Sequence, residues 1–225
     1  MSVVGRLHER LVYGRRVEVL ASHISELLPP DASVLDVGCG DGKIDSLVML
    51  KRPDVSISGI DVLVRDQTYI PVSRFDGKSI PYDAGSFDAV VLIDVLHHAD
   101  SPEKLLQEAR RISRGVIILK DHTRKGLLAG LTLRVMDWVG NAHHGVVLPY
   151  HYWTDRQWRE TLAALNLSIL KWDTRMGLYS WPAAWIFERS LHFIATMTFG
   201  DFPGIMSQKT SNKANLNKHV SDQSH

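Results

Sequence analysis

The chain has 225 residues, 44% of them hydrophobic, and its 26 Lys and Arg residues stand against 25 Asp and Glu for a formal charge of +1. That length supports one sizeable core, and the even charge leaves no electrostatic footprint for nucleic acid, so no nucleic-acid partner is expected. A single cysteine, Cys39, excludes an internal disulfide framework.

The opening run MSVVGRLHERLVYGRR lacks the apolar stretch of a secretory signal, which points to a cytoplasmic protein. Leu7, Leu11, Val17, Leu20, Ile24 and Leu27 recur at helical spacing, and Pro29-Pro30 closes this N-terminal helix within residues 1–30. A strand follows at Ser33 to Val37, then a glycine-rich loop, then a helix with Ile44, Leu47, Val48 and Leu50 on its apolar face. VSISGID alternates as a second strand, so this segment is a βαβ unit opening a parallel sheet. Val62 to Tyr69 is short for a crossover helix, and YIPVSRFDG reads as a third strand.

FDAVVLID has the unbroken apolar character of a strand covered on both faces. Ser101 stands as an N-cap before Pro102, and Leu105, Leu106, Ala109 and Ile112 form the buried face of the helix that follows. GVIILKD is a fifth strand. The basic clusters Lys51-Arg52 and Arg110-Arg111-Arg114 read as solvated faces.

Residues 123–153 are too many for an ordinary connection and are rich in Trp, His and Tyr. Thr154 to Gln157 is a capping box for a helix that buries Trp158, Leu162 and Leu165. LSILKW is a strand, and Leu191, Phe193, Ala195, Met197 and Phe199 alternate as the last one. Between them, residues 174–190 form a second decorated connection. The two connections are expected to make a substrate lid, with Trp138, Trp153, Trp181 and Trp185 as aromatic walls. Glu188, Arg189 and His192 interrupt the most membrane-like stretch, so no transmembrane segment is expected. One domain is expected over residues 1–202, and the polar tail 203–225 is expected to be disordered.

The glycine loop carries the functional signal. It joins a strand to a helix N-terminus, where free backbone N–H groups and the helix dipole favour an anionic group. A dinucleotide fingerprint needs its third glycine where Lys43 stands, whereas here it comes one residue early at Gly42. A nicotinamide-dependent dehydrogenase is therefore disfavoured.

The run VLDVGCGDG instead resembles motif I of the class I S-adenosylmethionine-dependent methyltransferases, and the resemblance extends from about Val34 to Leu170. It implies an α/β, Rossmann-like fold: a seven-stranded, mainly parallel sheet with helices on both faces and an antiparallel last strand. It implies S-adenosylmethionine as cofactor. Carried onto this sequence, Asp36 would lie below the methionine moiety, with Gly38, Cys39, Gly40 and Gly42 as the cradle. Asp61 would bind the ribose hydroxyls, Asp76 and Gly77 the adenine, and Asp94 to His97 would line the sulfonium end. Cys39 is in itself a small filler.

The resemblance also implies methyl transfer to a small-molecule acceptor, of partly apolar or aromatic character. The Asn-Pro-Pro-Tyr type of motif that base-modifying relatives place after the fourth strand is replaced by DVLHH, in line with the absence of a nucleic-acid acceptor. Methyl displacement needs placement and, in places, a base. Histidines cluster at the expected carboxyl ends of the strands, and His122 or His143 is the candidate base or substrate orienter, with Asp121 positioning it. Tyr13 and Arg16 are candidates for a lid over the cofactor. No His-x-x-x-His or Glu-x-x-His pairing supports a metal. The alternative is a catalytically silent cofactor-binding module that engages a partner through Leu178 to Phe187. The oligomeric state is not legible.

Overall fold

Helix α1 (Gly14–Leu27) turns Val17, Leu20, Ala21 and Ile24 inward at the expected spacing. A computed structural model describes it together with the rest of residues 14–124, 130, 132–133, 151–179, 181, 184 and 191–200. Leu7, Leu11, Tyr13, Trp138, His143 and Trp185 lie outside the described residues, as does the tail 203–225.

The elements that follow are β1 (Ser33–Val37), α2 (Lys43–Lys51), β2 (Ser56–Asp61), β3 (Val72–Arg74) and β4 (Phe87–Ile93). Then come a 3-10 turn (Leu96–His98), α3 (Pro102–Ile112), β5 (Ser113–His122), α4 (Asp155–Ala164), β6 (Ser168–Asp173) and β7 (His192–Thr198). They build a seven-stranded sheet in the order β3-β2-β1-β4-β5-β7-β6. The pairs among β1 to β5 are parallel, and β7 slots between β5 and β6 antiparallel to both. The sheet is thus mixed, with β7 alone running against the others.

Alternation along each strand feeds two cores. Leu35, Val37, Val90, Leu92, Ile117 and Leu119 pack on one face with α3 and Trp158 of α4. Val34, Ala89, Val91, Val116 and Ile118 pack on the other with α1 and Val48 of α2. Residues 192–197 of β7 are all buried, because helices or chain cover both of its faces; the alternation expected there identifies only one of them.

Several local expectations are corrected. The buried face of α2 centres on Asp45 and Val48, and Leu50 is 79% exposed. No helix spans the β2–β3 crossover, in line with its short length. Ser101 occupies the N-cap position without a side-chain cap bond, and Pro102 begins the helix as expected. The capping box of α4 forms both of its bonds.

Arg52 is no solvated cation: it donates to the carbonyls of Ser25, Leu28 and Pro29 at 2.7, 3.1 and 3.0 Å, tying down the C-terminal end of α1. Arg111 likewise donates to the carbonyls of Ile80 and Tyr82 and to Glu108. Among the described residues no helix is long and apolar enough to cross a membrane.

Candidate active site

The carboxyl ends of β1, β2, β4 and β5 bring the motifs to one edge of the sheet, beside the point where the strand order reverses. The glycine loop lies there, and its three glycines are required for different reasons. A Cβ on Gly38 would stand 2.5 Å from Cγ2 of Val95, and one on Gly42 would stand 2.3 Å from Cγ1 of Ile70. These two are excluded by the protein's own packing. Gly40 has φ +62° and nothing within 4 Å of an added Cβ, so its open side is where a ligand can approach the main chain.

Asp61 organises this loop, since its Oδ2 accepts from the Gly40 amide at 2.8 Å and its Oδ1 from the Leu63 amide at 2.9 Å. Cys39 packs against β2, where a Cβ on Gly59 would lie 2.3 Å from its sulfur. Desolvation, then Asp36 and Asp45, push its thiol pKa far up, so Cys39 is a filler and not a nucleophile. Asp76 is exposed, and its Oδ1 accepts from the amides of Lys78 and Ser79; these bonds lower its pKa. Gly77 faces Val62, 3.1 Å from where its Cβ would stand, so the residues after β2 and β3 form one wall.

Beneath the loop, Asp36 is 2% exposed and meets Asp45, 1% exposed, from the first turn of α2. Sequence reading missed Asp45; its i, i+3 relation to Val48 was the available signal. Burial, then Asp45, raises the Asp36 pKa well above the usual carboxylate range, and burial raises Asp45 to about 6.

A second polar constellation lies at the ends of β4 and β5. Asp121 is fully buried and is its hub: Oδ1 accepts from His97 Nδ1 at 2.6 Å and from the His122 amide at 2.7 Å, while Oδ2 accepts from the Leu96 amide at 3.1 Å. Burial opposes the charge on Asp121, but His97 and His122 outweigh it and hold the carboxyl below its ordinary range. His122 Nδ1 lies 3.5 Å from His97 Nδ1 and 3.6 Å from Asp121 Oδ1. Burial, then Lys120 and His97, lowers the His122 pKa and keeps the ring neutral. Tyr152 covers this pair, stacked 5.9 Å from His97 and edge-on to His122 at 6.2 Å.

Asp94 adopts φ +56° just after β4, a left-handed conformation that Asp tolerates. It is held by Lys120, fully buried on β5, and by Arg16 from α1. Burial would raise its pKa, but these two cations keep it far below the usual range. Arg16 therefore ties the N-terminal helix across the carboxyl edge of the sheet, and Lys120 also meets His192 Nδ1 at 3.3 Å. Lys120 and His192 are further residues that the sequence reading passed over.

Asp94, His97, Asp121 and His122 offer ligand atoms within 4.8 Å of one another. Lys120 and Arg16 already balance Asp94, and His97 already engages Asp121, so a divalent ion would add charge to a balanced cluster.

The two decorated connections behave differently at their described ends. Residues 151–153 return over the histidines, with the His151 amide on the His97 carbonyl at 2.9 Å. Met176 and Leu178 belong to the core beside α1, so Leu178 does not offer itself to a partner. Trp153 packs on Trp158 within the core, whereas Trp181 is 86% exposed.

Residues 11–171 match the methyltransferase domain family. The chain belongs to that family. Its solved structural neighbours include an S-adenosylmethionine-dependent methyltransferase from Aquifex aeolicus, with TM-score 0.56, 15% identity and coverage of 82% of this chain and 93% of that one. Another is a Haloferax volcanii methyltransferase solved with the Trm112 methyltransferase activator, with TM-score 0.64, 16% identity and coverage of 86% and 92%. Both likenesses concern the fold.

Curated relatives include the tRNA (carboxymethyluridine(34)-5-O)-methyltransferase alkbh8 of Xenopus tropicalis, 36% identical over 93 residues, or 39% of this chain and 14% of the relative. The 27-O-demethylrifamycin SV methyltransferase of Amycolatopsis mediterranei is 27% identical over 110 residues, covering 42% and 40%. The mitochondrial ubiquinone biosynthesis O-methyltransferase of Saccharomyces cerevisiae is 32% identical over 91 residues, covering 35% and 28%. The chain thus spans about half or less of the length of the curated relatives that it matches.

The expectation of no nucleic-acid partner is overturned, because three of the relatives are tRNA methyltransferases. A whole-chain charge of +1 averages over the surface and does not report a local basic groove. The absence of a base-modification motif has no bearing on an oxygen acceptor, which is what these relatives' names specify.

S-adenosylmethionine is the cofactor that family membership assigns, and the residues present fit it. The main chain is open at Gly40, and Oδ1 of Asp36 and both carboxylate oxygens of Asp45 are buried without a donor among the described residues. Asp36, Gly38 to Gly42, Asp61, Asp76 and Gly77 are the residues that would hold it, with Asp94 and His97 toward its sulfonium end.

Proposed function

We propose that this chain transfers the methyl group of S-adenosylmethionine to an oxygen of its acceptor. The cofactor supplies an electrophilic methyl group on its sulfonium; the protein's residues place and deprotonate the acceptor. The observation that carries the reading is the buried Asp121, shared by His97 and His122 at the carboxyl ends of β4 and β5. With Nδ1 of His122 turned toward Asp121 and Asp94, its Nε2 is the atom left to take a proton. A neutral His122 is ready to act as base at pH 7, and Asp121 stabilises the imidazolium that results. His97 positions Asp121, and Asp94 sets the local field with Lys120 and Arg16. Tyr152 packs against both rings. His143 lies outside the described residues and enters no step here.

An oxygen acceptor is supported by the names of relatives with otherwise unlike substrates, a tRNA, a rifamycin and a ubiquinone precursor pathway. The test is incubation with methyl-labelled S-adenosylmethionine and two acceptor sets, tRNA carrying 5-carboxymethyluridine and a panel of phenols and carboxylic acids. Label in an ether or ester product supports the reading. Cofactor binding with no transfer to any oxygen overturns it in favour of a silent cofactor-binding module.

A further inference from the structure

His192 opens β7, and because β7 runs antiparallel to β5, this residue lies directly opposite His122 at the carboxyl edge of the sheet. Residues paired in this way point to one face, and Lys120, two positions before His122 on β5, points there as well. The His122 and His192 rings stand 4.8 Å apart between centroids, and Tyr179 flanks His192 at 5.8 Å. His192 is 2% exposed, so each of its ring nitrogens needs a partner. Lys120, an ammonium against the Asp94 carboxylate, can only donate, and it meets His192 Nδ1 at 3.3 Å. A nitrogen that accepts from an ammonium carries no proton, so the ring proton of His192 sits on Nε2. Burial, then Lys120 and His122, also push the His192 pKa well below the ordinary imidazole value and keep the ring neutral. That Nε2–H is a buried donor with no acceptor among the described residues.

An unpaired buried N–H is unfavourable, and a ligand oxygen that accepts from it removes that cost. His122 and His192 thus present opposite chemistry side by side: Nε2 of the first takes a proton, whereas Nε2–H of the second only donates a hydrogen bond. Such a pair reads two oxygens of one acceptor, a hydroxyl and a neighbouring lone pair. Resting on the transfer to oxygen proposed above, we infer that His192 is a substrate-binding residue, and that the acceptor carries a hydroxyl, ether or carbonyl oxygen on the carbon next to the methylated hydroxyl. In the transfer, the hydroxyl gives its proton to His122 Nε2 and its oxygen bonds the methyl carbon; the carbon–sulfur bond breaks with its electron pair left on sulfur. The His122 imidazolium then loses its proton to the buffer. His192 keeps its proton throughout and fixes which of the two oxygens faces the methyl group, and Lys120 sets the tautomer that makes this possible.

The experiment compares 2-methoxyphenol with 4-methoxyphenol, isomers that each offer one hydroxyl and one ether oxygen and differ in whether the two are neighbours. With methyl-labelled S-adenosylmethionine, kcat/KM is expected to favour the 2-isomer by about tenfold or more. His192→Phe keeps a ring and removes the donor, and should bring that ratio to about one; His192→Gln restores an amide donor and should keep the preference. The parent protein gives an independent readout, nuclear magnetic resonance of its 15N-labelled histidines with S-adenosylhomocysteine bound at pH 7. His192 is expected to hold its proton on Nε2, and that proton to move downfield with 2-methoxyphenol and not with 4-methoxyphenol. A proton on Nδ1, an equal response to both isomers, or a ratio unchanged in His192→Phe overturns the proposal. Methylation of neither isomer overturns it too, while transfer to another oxygen acceptor then leaves the reading of methyl transfer to oxygen intact. Absence of transfer to any oxygen overturns that reading itself, and this proposal with it.

Discussion

His97 and Asp121 meet through a 2.6 Å hydrogen bond between Nδ1 and Oδ1, although one follows β4 and the other sits near the end of β5. Both are buried, and the same carboxylate also binds the amides of Leu96 and His122. Asp121 therefore fixes the backbone of the 3-10 turn and the orientation of two imidazoles at once.

Replacing that charge with a neutral isostere separates chemistry from binding. Asp121→Asn is expected to lower kcat by about 100-fold or more, because the imidazolium formed on His122 loses its counter-charge. S-adenosylhomocysteine affinity is expected to stay within about twofold, since Asp121 is not among the residues assigned to the cofactor. Single-turnover methyl transfer and calorimetry on one preparation measure both quantities. Equal losses in the two would contradict a role confined to the acceptor side.

The glycine loop predicts a contrast between two alanine variants. Gly42→Ala places a methyl group 2.3 Å from Ile70 Cγ1 at φ +73° and should lower stability by about 2 to 4 kcal/mol. Gly40→Ala meets nothing within 4 Å and carries only the left-handed backbone cost of about 1 kcal/mol. Its main effect is on S-adenosylhomocysteine affinity, expected to fall at least tenfold because the methyl group stands on the open side of the loop. Urea denaturation and ligand titration of the two variants should show opposite rankings.

Asp45 predicts a stability gain that depends on pH. Its folded-state pKa of about 6 is raised above the ordinary value of 3.8, so the stability present with the protonated acid is lost as pH rises through about 6. Asn keeps the shape and never ionises. Asp45→Asn is thus expected to be more stable than the parent by about 2 kcal/mol at pH 7.5, with the gap closing toward pH 4. Urea midpoints at the two pH values decide it, and a gap that widened on acidification would contradict the assignment.

Arg52 predicts a purely structural effect. Arg52→Met removes the donors to the carbonyls of Ser25, Leu28 and Pro29 while keeping an apolar stem, and should cost about 1 to 2 kcal/mol. Hydrogen exchange should rise at the C-terminal turn of α1 before it rises in the sheet. Cofactor affinity should not change, because Arg52 sits beyond the opposite end of α2 from the glycine loop.

Much of the fold was legible because its signals are local. The apolar runs of β1, β4 and β5, the capping box of α4 and the strand–glycine–helix order at Val34 to Lys43 each depend on neighbours within a few residues. The cofactor motif was legible for the same reason, since Gly38 to Gly42 and Asp61 are set by a single βαβ unit. Where local pattern misled, tertiary context prevailed: the apolar face read on α2 placed Leu50 inside, but the sheet receives that helix on Asp45 and Val48.

By itself, then, the sequence determined the strand-and-helix alternation, the glycine loop and the acidic residues that close its strands, because hydrophobic periodicity and backbone chirality act over short stretches of chain. The tertiary structure alone decided which charges meet. Asp36 faces Asp45, Lys120 and Arg16 converge on Asp94, and Asp121 joins His97 to His122, from elements as many as 78 residues apart. The physical reason is that a charge has no preferred partner along the chain. Its partner is whichever opposite or proton-sharing group the folded sheet brings within reach after both have left water, and burial then makes the pairing obligatory.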